Sequence, residues 1–375
     1  MVKPPRWRAS RLAPLLALGL LAAHGSAAAA GPACKVDGVQ RIVAVGDVHG
    51  AYERFVSILR AAGILDERER WAGGRAHLIQ LGDALDRGSE GPRVLDLLMR
   101  LERQARSAGG RVHALLGNHE VMNIMGDLRY VSPEEYQTFR TLQSETLRHH
   151  AYERALERAQ EAARAKGEKL DEVAFRAKFM EQVPLGLVER SQAFSESGRY
   201  GSWLRGHDAV VVVNRVVFVH GGLTPEVAAL GCEKVNSEVR REIGSDLRST
   251  LASPEATLAA GENGPLWYRG LTRGSEEELG PQVDRVLEAA GARAIVIGHT
   301  VTGTGRIVTR AGGRVVMIDS GMTDGYGGHA SALEIDAEGR MAAIYPDGRQ
   351  PLGLPAAAQL SPGPAFSLAA RLTAP

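Results

Sequence analysis

Five short apolar runs in this chain each break off at a glycine beside an aspartate, asparagine or histidine, and that repetition limits what the chain can fold into. Arg41–Gly46 leads into Asp47-Val48-His49-Gly50, and Ala76–Gly82 into Asp83-Ala84-Leu85-Asp86-Arg87-Gly88. Val112–Gly117 leads into Asn118-His119-Glu120, Val216–Val219 into His220-Gly221-Gly222, and Ala294–Gly298 into His299-Thr300. The runs read as strands. Phe55, Ile58 and Leu59 fall at helical spacing over 51–62, and a second helix is expected over 92–107. Strands alternating with helices predict βαβ units and a parallel sheet, hence the α/β class. Ligands in such sheets gather outside the carboxyl ends of the strands. Five strand ends presenting Asp, Asn and His toward one rim would make a metal site there, and the flanking glycines let the backbone turn sharply. A four-residue word such as GNHE arises by chance in roughly one chain in several hundred. Three such words in order, one βα unit apart, are not accidental.

The middle of the chain differs. Ser132-Pro133-Glu134-Glu135 has the form of a capping box with proline at the first helical position. It opens a charged, alanine-rich helical stretch that Gly167 divides into a hairpin. Leu147, Tyr152, Leu156, Phe175 and Phe179 give it one apolar face, so the stretch, about 132–200, is read as an inserted helical cap. Beyond Trp203 the pattern returns to strands: a hairpin 209–219 turning at Asn214-Arg215, then 294–297, 306–309, 314–318, 330–335 and 341–345. The tail 346–375 is rich in Pro, Ala and Gly without periodicity, and little order is expected in it.

Composition narrows the function. A formal net charge of +1 leaves no basic footprint for nucleic acid, and 5% aromatics leaves little for a base-stacking platform. Residues 1–30 have the three parts of a secretory signal: basic Lys3, Arg6, Arg8 and Arg11, an apolar run Leu12–Ala23, then small residues Ser26–Ala30. The apolar run is shorter than the about 20 residues that span a bilayer. Cleavage after residue 28 or 30 is expected, with a retained anchor as the alternative, and export to the periplasm or medium without stable membrane insertion follows. Cys34 and Cys232, the 2 cysteines of the chain, either pair in that oxidising setting or stay separate thiols.

The words GDVHG, GDALDRG, GNHE, HGG and GHT, in this order, resemble the signature of the phosphoprotein phosphatase superfamily, the calcineurin-like metallophosphoesterases. The likeness runs over about 40–345 apart from the helical insertion, inside an expected domain of 31–345. Gly117 to Asn123 and Val216 to Leu223 are most similar to the bacterial-type branch of Shewanella-like phosphatases. The resemblance implies an αββα sandwich with two divalent cations at the strand ends. Asp47 and His49 would hold one, Asp83 would bridge both, and Asn118, His220 and His299 would complete the other. Such a mixed donor set suits Mn first, with Fe or Zn as alternatives. Cations about 3.5–4 Å apart hold a shared hydroxide and clamp a phosphate for in-line attack.

In the same resemblance His119 is the general acid toward the leaving oxygen, with Asp86 orienting its ring, and Arg87 grips the phosphate beside Asn118. Arg269 is either a second phosphate arginine or a member of a surface ion pair. His77 and His113 read as core or edge histidines, and His149 and His150 as solvated ones. Asp319 ends a strand near the site and takes no ligand role in the resemblance. Asp86 stands where purple acid phosphatases carry a tyrosine ligand, which disfavours that group. The segment 319–328 departs from the Ser-Ala-Pro-Asn-Tyr of eukaryotic Ser/Thr enzymes, so phosphoserine and phosphotyrosine stay equal. The expected activity is hydrolysis of phosphomonoesters on proteins or peptides. The alternatives are dinucleotide polyphosphates or small phosphate esters as substrates, or a binding protein without turnover, which would be expected to lack one of these residues.

Overall fold

The computed structural model of the protein describes residues 33–353, so the expected signal segment and the end of the tail lie outside the described residues. Strand β1 (Lys35–Val36) precedes the first βα units: β2 (Arg41–Val45), α1 (Tyr52–Ala61), β3 (His77–Gln80), α2 (Gly91–Ser107), β4 (Arg111–Ala114) and α3 (Asn118–Met125). The insertion follows as α4 (Pro133–Thr138), α5 (Ser144–Ala165), α6 (Glu172–Gln182), α7 (Leu187–Ala193) and α8 (Arg199–Arg205). A hairpin, β5 (Val210–Val213) and β6 (Val216–Val219), leads to α9 (Pro225–Leu230), α10 (Cys232–Ile243), α11 (Leu247–Ala252) and α12 (Glu276–Ala290). The chain closes with β7 (Ala294–Ile297), β8 (Val308–Arg310), β9 (Val315–Met317), β10 (Ala332–Asp336), β11 (Met341–Tyr345) and β12 (Gly348–Pro351).

These strands form two six-stranded sheets, β1-β5-β6-β7-β9-β8 and β12-β11-β10-β2-β3-β4. Side chains alternate across each strand, and the central strands, such as β5, β6 and β7, are buried on both faces, which is why they read as unbroken apolar runs. Ile42, Ala44, Ile79, Val216, Phe218 and Val296 point between the sheets and make one core. Val43, Val45, Leu78, Val217, Val219 and Ile297 point the other way, onto helices that contribute Phe55, Leu98 and Val283. The result is the expected αββα sandwich, and truncating a buried aromatic such as Phe218 to alanine would cost about 3–5 kcal/mol.

Local chemistry sets the turns. Asn214 and Arg215 both take positive φ, 49° and 60°, the two-residue hairpin turn that matches strand twist. Gly167, at φ 69°, separates α5 from α6, where Tyr152 stacks against Phe179 at 5.4 Å between ring centroids. Ser132 caps α4 by accepting from Glu135 N at 3.2 Å. The Glu135 carboxylate does not close the expected capping box; it pairs with Arg190 Nε at 2.7 Å instead. Cys34 and Cys232 form a disulfide with Cα atoms 6.1 Å apart, tying β1 to the start of α10. In the expected weakly ordered tail, Gly348–Pro351 is an exposed edge strand that pairs with β11 through backbone alone, which leaves no apolar pattern to read. Among the described residues no helix is long and apolar enough to cross a membrane.

Candidate metal centre

The carboxyl ends of β2, β3 and β4 from one sheet and β6 and β7 from the other open on the same rim. The backbone there is held in an unusual conformation: His49, Asp83, Asp86, Arg87 and His299 have φ of 48°, 54°, 68°, 67° and 63°. Left-handed backbone outside glycine costs of the order of 1–3 kcal/mol per residue and persists only where surroundings enforce it. Two features enforce it here. A Cβ on Gly82 would lie 2.3 Å from Gly117 N, and one on Gly117 would lie 2.2 Å from Asp83 Oδ1, so only glycine lets the loops after β3 and β4 touch. The fully buried Glu120 carboxylate then accepts from the backbone N–H groups of Asp83, Ala84 and Gly117 at 2.7, 2.9 and 2.8 Å.

Imidazole orientation is set by backbone carbonyls. His49 Nδ1 lies 2.8 Å from Leu85 O and His220 Nδ1 lies 2.9 Å from Leu81 O. A carbonyl only accepts, so each Nδ1 carries a proton and Nε2 is the ring nitrogen turned inward. His220 Nε2 faces Asn118 Oδ1 at 3.0 Å and Asp83 Oδ2 at 3.2 Å. His49 Nε2 stands 3.6 Å from Asp83 Oδ2 and 3.8 Å from Asp47 Oδ2. His299 Nε2 is buried without a hydrogen-bond partner, while His299 N donates to Asp47 Oδ1 at 3.0 Å. An orphaned imidazole nitrogen beside carboxylate and amide oxygens in a buried space is what a bound cation satisfies, and the donor set fits one. Two clusters of possible ligand atoms, His49-Asp83-His119 and Asp83-His220-His299, share Asp83.

The electrostatics agree. Burial, with Asp319 and Asp83 close by, pushes Asp47 well above the usual carboxylate range, and burial pushes Asp319 up to about 6. Burial acts on Asp83 in the same sense, but His220 and His119 outweigh it and hold that carboxyl well below its usual range. Burial lowers His49 to about 4 and places His299 well below an ordinary imidazole, so both are neutral donors at neutral pH.

The other expected residues converge on the same cavity, about 230 Å³ in volume. His119 Nδ1 lies 2.6 Å from Asp86 Oδ2, and Arg87 Nη2 lies 3.3 Å from His119 Nε2. Burial pushes His119 down, but Asp83 and Asp86 outweigh it and raise the ring above its ordinary value. Arg269 lines the cavity and donates to His299 O and Thr300 Oγ1, both at 2.7 Å. A larger cavity, about 660 Å³, beside Glu102, Arg111 and His207 contains none of these groups. The residues that sequence reasoning left out are Glu120, Tyr130, Trp267 and Tyr326. Tyr130, Trp267 and Tyr326 line the cavity, the first two in loops and Tyr326 at the end of a single 3-10 turn, none with a periodic signal; Glu120 was visible only as the last letter of GNHE.

A family profile described as calcineurin-like phosphoesterase matches residues 40–303. The chain is a calcineurin-like phosphoesterase. It is 33% identical over 296 residues to Shewanella-like protein phosphatase 2 of Arabidopsis thaliana, covering 76% of this chain and 72% of that one. Shewanella-like protein phosphatase 1 of Plasmodium berghei is 25% identical over 286 residues, 76% of this chain and 67% of that one. Among solved structures, a cold-active protein tyrosine phosphatase superposes with a TM-score of 0.66 at 26% identity, covering 87% and 82%. The cold-active protein-tyrosine phosphatase of a psychrophilic Shewanella sp. gives 0.65 at 27%, covering 86% and 82%. These relatives place the phosphoesterase on the Shewanella-like branch, and it is a metal-dependent hydrolase of phosphoesters.

Proposed function

We propose that this phosphoesterase is a two-cation protein phosphatase that prefers phosphotyrosine. The observation that carries the substrate class is the frame around Arg87. Its guanidinium lies 5.3 Å from the centroid of the Tyr130 ring and 4.9 Å from that of Tyr326, and Nη1 donates to Tyr326 Oη. Tyr130 also packs on His119, with centroids 5.1 Å apart. A phosphate gripped by Arg87 therefore has its ester oxygen beside His119 and its leaving group between aromatic faces, where a phenyl ring stacks and an alkyl chain gains less. The solved relatives described as tyrosine phosphatases support the same reading.

In this reading Asp47 and His49 would hold one cation, Asn118, His220 and His299 would hold the other, and Asp83 would serve both. Mn is the first choice, with Fe or Zn as alternatives. What the cations supply when bound is Lewis acidity toward the phosphate and a lowered pKa for the attacking water. The chain does the rest. Arg87, Asn118 and Arg269 orient phosphate oxygens, and His119 delivers a proton to the departing phenoxide while Asp86 steadies the charged ring. Export to the periplasm or medium belongs to the proposal, and the Cys34–Cys232 disulfide supports it, since oxidising compartments preserve such bonds.

The test is a panel of matched phosphotyrosine, phosphoserine and phosphothreonine peptides with a dinucleotide polyphosphate alongside. The phosphotyrosine peptide is expected to show kcat/KM at least ~10-fold higher, and Tyr326→Ala to shrink that advantage by about 1 kcal/mol, the worth of an aromatic pair. Preference for phosphoserine, or for the dinucleotide, would overturn the assignment.

A further inference from the structure

The helical insertion lines no part of the catalytic cavity: none of the lining residues belongs to α4 through α8. It reaches the chemistry from behind, through one side chain. Arg190 of α7 is 1% exposed and is the largest of the fully buried side chains. Its Nε donates to Glu135 Oε1 at 2.7 Å, and its Nη2 donates to Asn123 Oδ1 at 2.5 Å. Asn123 in turn donates from Nδ2 to Asp86 Oδ1 at 3.0 Å and to His119 O at 2.8 Å. Asp86 holds His119 Nδ1 with its other oxygen.

We propose that Arg190 and Asn123 are positioning residues for the acid His119, which makes the insertion part of the catalytic centre; this rests on His119 being the acid. A guanidinium only donates, so Arg190 fixes which end of the Asn123 amide is oxygen. The NH2 end must then face Asp86. Both Asp86 oxygens are thereby engaged, one by Asn123 and one by His119, and the carboxylate cannot rotate away from the imidazole. Glu135, with no exposed surface, balances the buried guanidinium from the insertion side. A purely structural staple would need only the Arg190–Glu135 pair. The second contact, onto Asn123 and within 4.0 Å of Asp86 Oδ1, is directed at the dyad.

The test compares a substrate that needs an acid with one that does not. Phenyl phosphate leaves as a basic phenoxide, whereas 2,4-dinitrophenyl phosphate departs without protonation. Arg190→Lys and Asn123→Asp are expected to lower kcat on phenyl phosphate by ~10–100-fold and on the dinitrophenyl ester by less than ~3-fold. Neither should cost more than ~2-fold when added to His119→Asn, because residues acting through one group are not additive. Asn123→Asp keeps Arg190 paired and decides the matter if Arg190→Lys does not fold. Equal losses on both substrates, no loss on either, or full additivity with His119→Asn would overturn the inference. If His119→Asn itself is indifferent to the leaving group, the acid assignment falls first and takes the inference with it.

Discussion

Glu120 and Asp83 are joined backbone to carboxylate: Glu120 Oε2 takes the N–H of Asp83 at 2.7 Å and that of Gly117 at 2.8 Å. The pairing locks the two loops that present Asp83 and Asn118, so a residue outside the proposed ligand set spaces two of its members. Glu120→Gln replaces one acceptor by an NH2 group facing N–H donors. The expected outcome is about 1–3 kcal/mol lower stability and 10–100-fold weaker cation affinity, read by thermal denaturation and by metal titration. Unchanged affinity would mean the loops hold their shape without it.

A pair of strand histidines, His113 buried and His77 half-buried, contributes to acid sensitivity. His113 Nε2 lies 3.0 Å from His77 Nδ1, away from the rim, and burial lowers His113 from 6.5 to about 3. The unfolded chain takes up this proton first as pH falls, so stability is full above pH 6.5 and declines from there toward about 3. At pH 5 the loss from His113 is about 2 kcal/mol. In urea titrations at pH 7 and pH 5, His113→Gln should retain about that much more of its neutral-pH stability than the parent. The same drop in both proteins would remove His113 from the account.

The disulfide joins residues 198 apart in sequence, so it restricts the unfolded chain over a long loop. Cys34→Ser is expected to lower unfolding free energy by about 2–5 kcal/mol. Activity at 25 °C should survive, because neither cysteine lines the cavity. Inactivation without unfolding would contradict a purely structural role.

How much of this was legible in the sequence follows from burial. Strands such as Val216–Val219, buried on both faces, cannot be other than apolar runs, and the polar residues that end them stand out for that reason. Asp47, His49, Asp83, Asn118, His220 and His299 were visible on those grounds. Strand β1, two residues long, and the exposed β12 bury too little to leave a pattern. Side chains that meet only through topology were invisible: Tyr326 lies 239 residues from Arg87, and Arg190 lies 67 from Asn123. The word GNHE held Glu120 in plain view, but its task depends on left-handed backbone at Asp83, which no spacing rule reveals.

In the proposed mechanism Asp83 anchors two cations without which the site does no chemistry. The decisive measurement is metal content per chain paired with nitrophenyl phosphate turnover, before chelation, after it and after add-back, in the parent and in Asp83→Asn. Two ions per chain are expected, with activity abolished by chelation and restored by Mn, and a variant that binds weakly and turns over nothing. A stripped protein that hydrolyses the ester at its original rate, or a variant with full turnover, would contradict that mechanism.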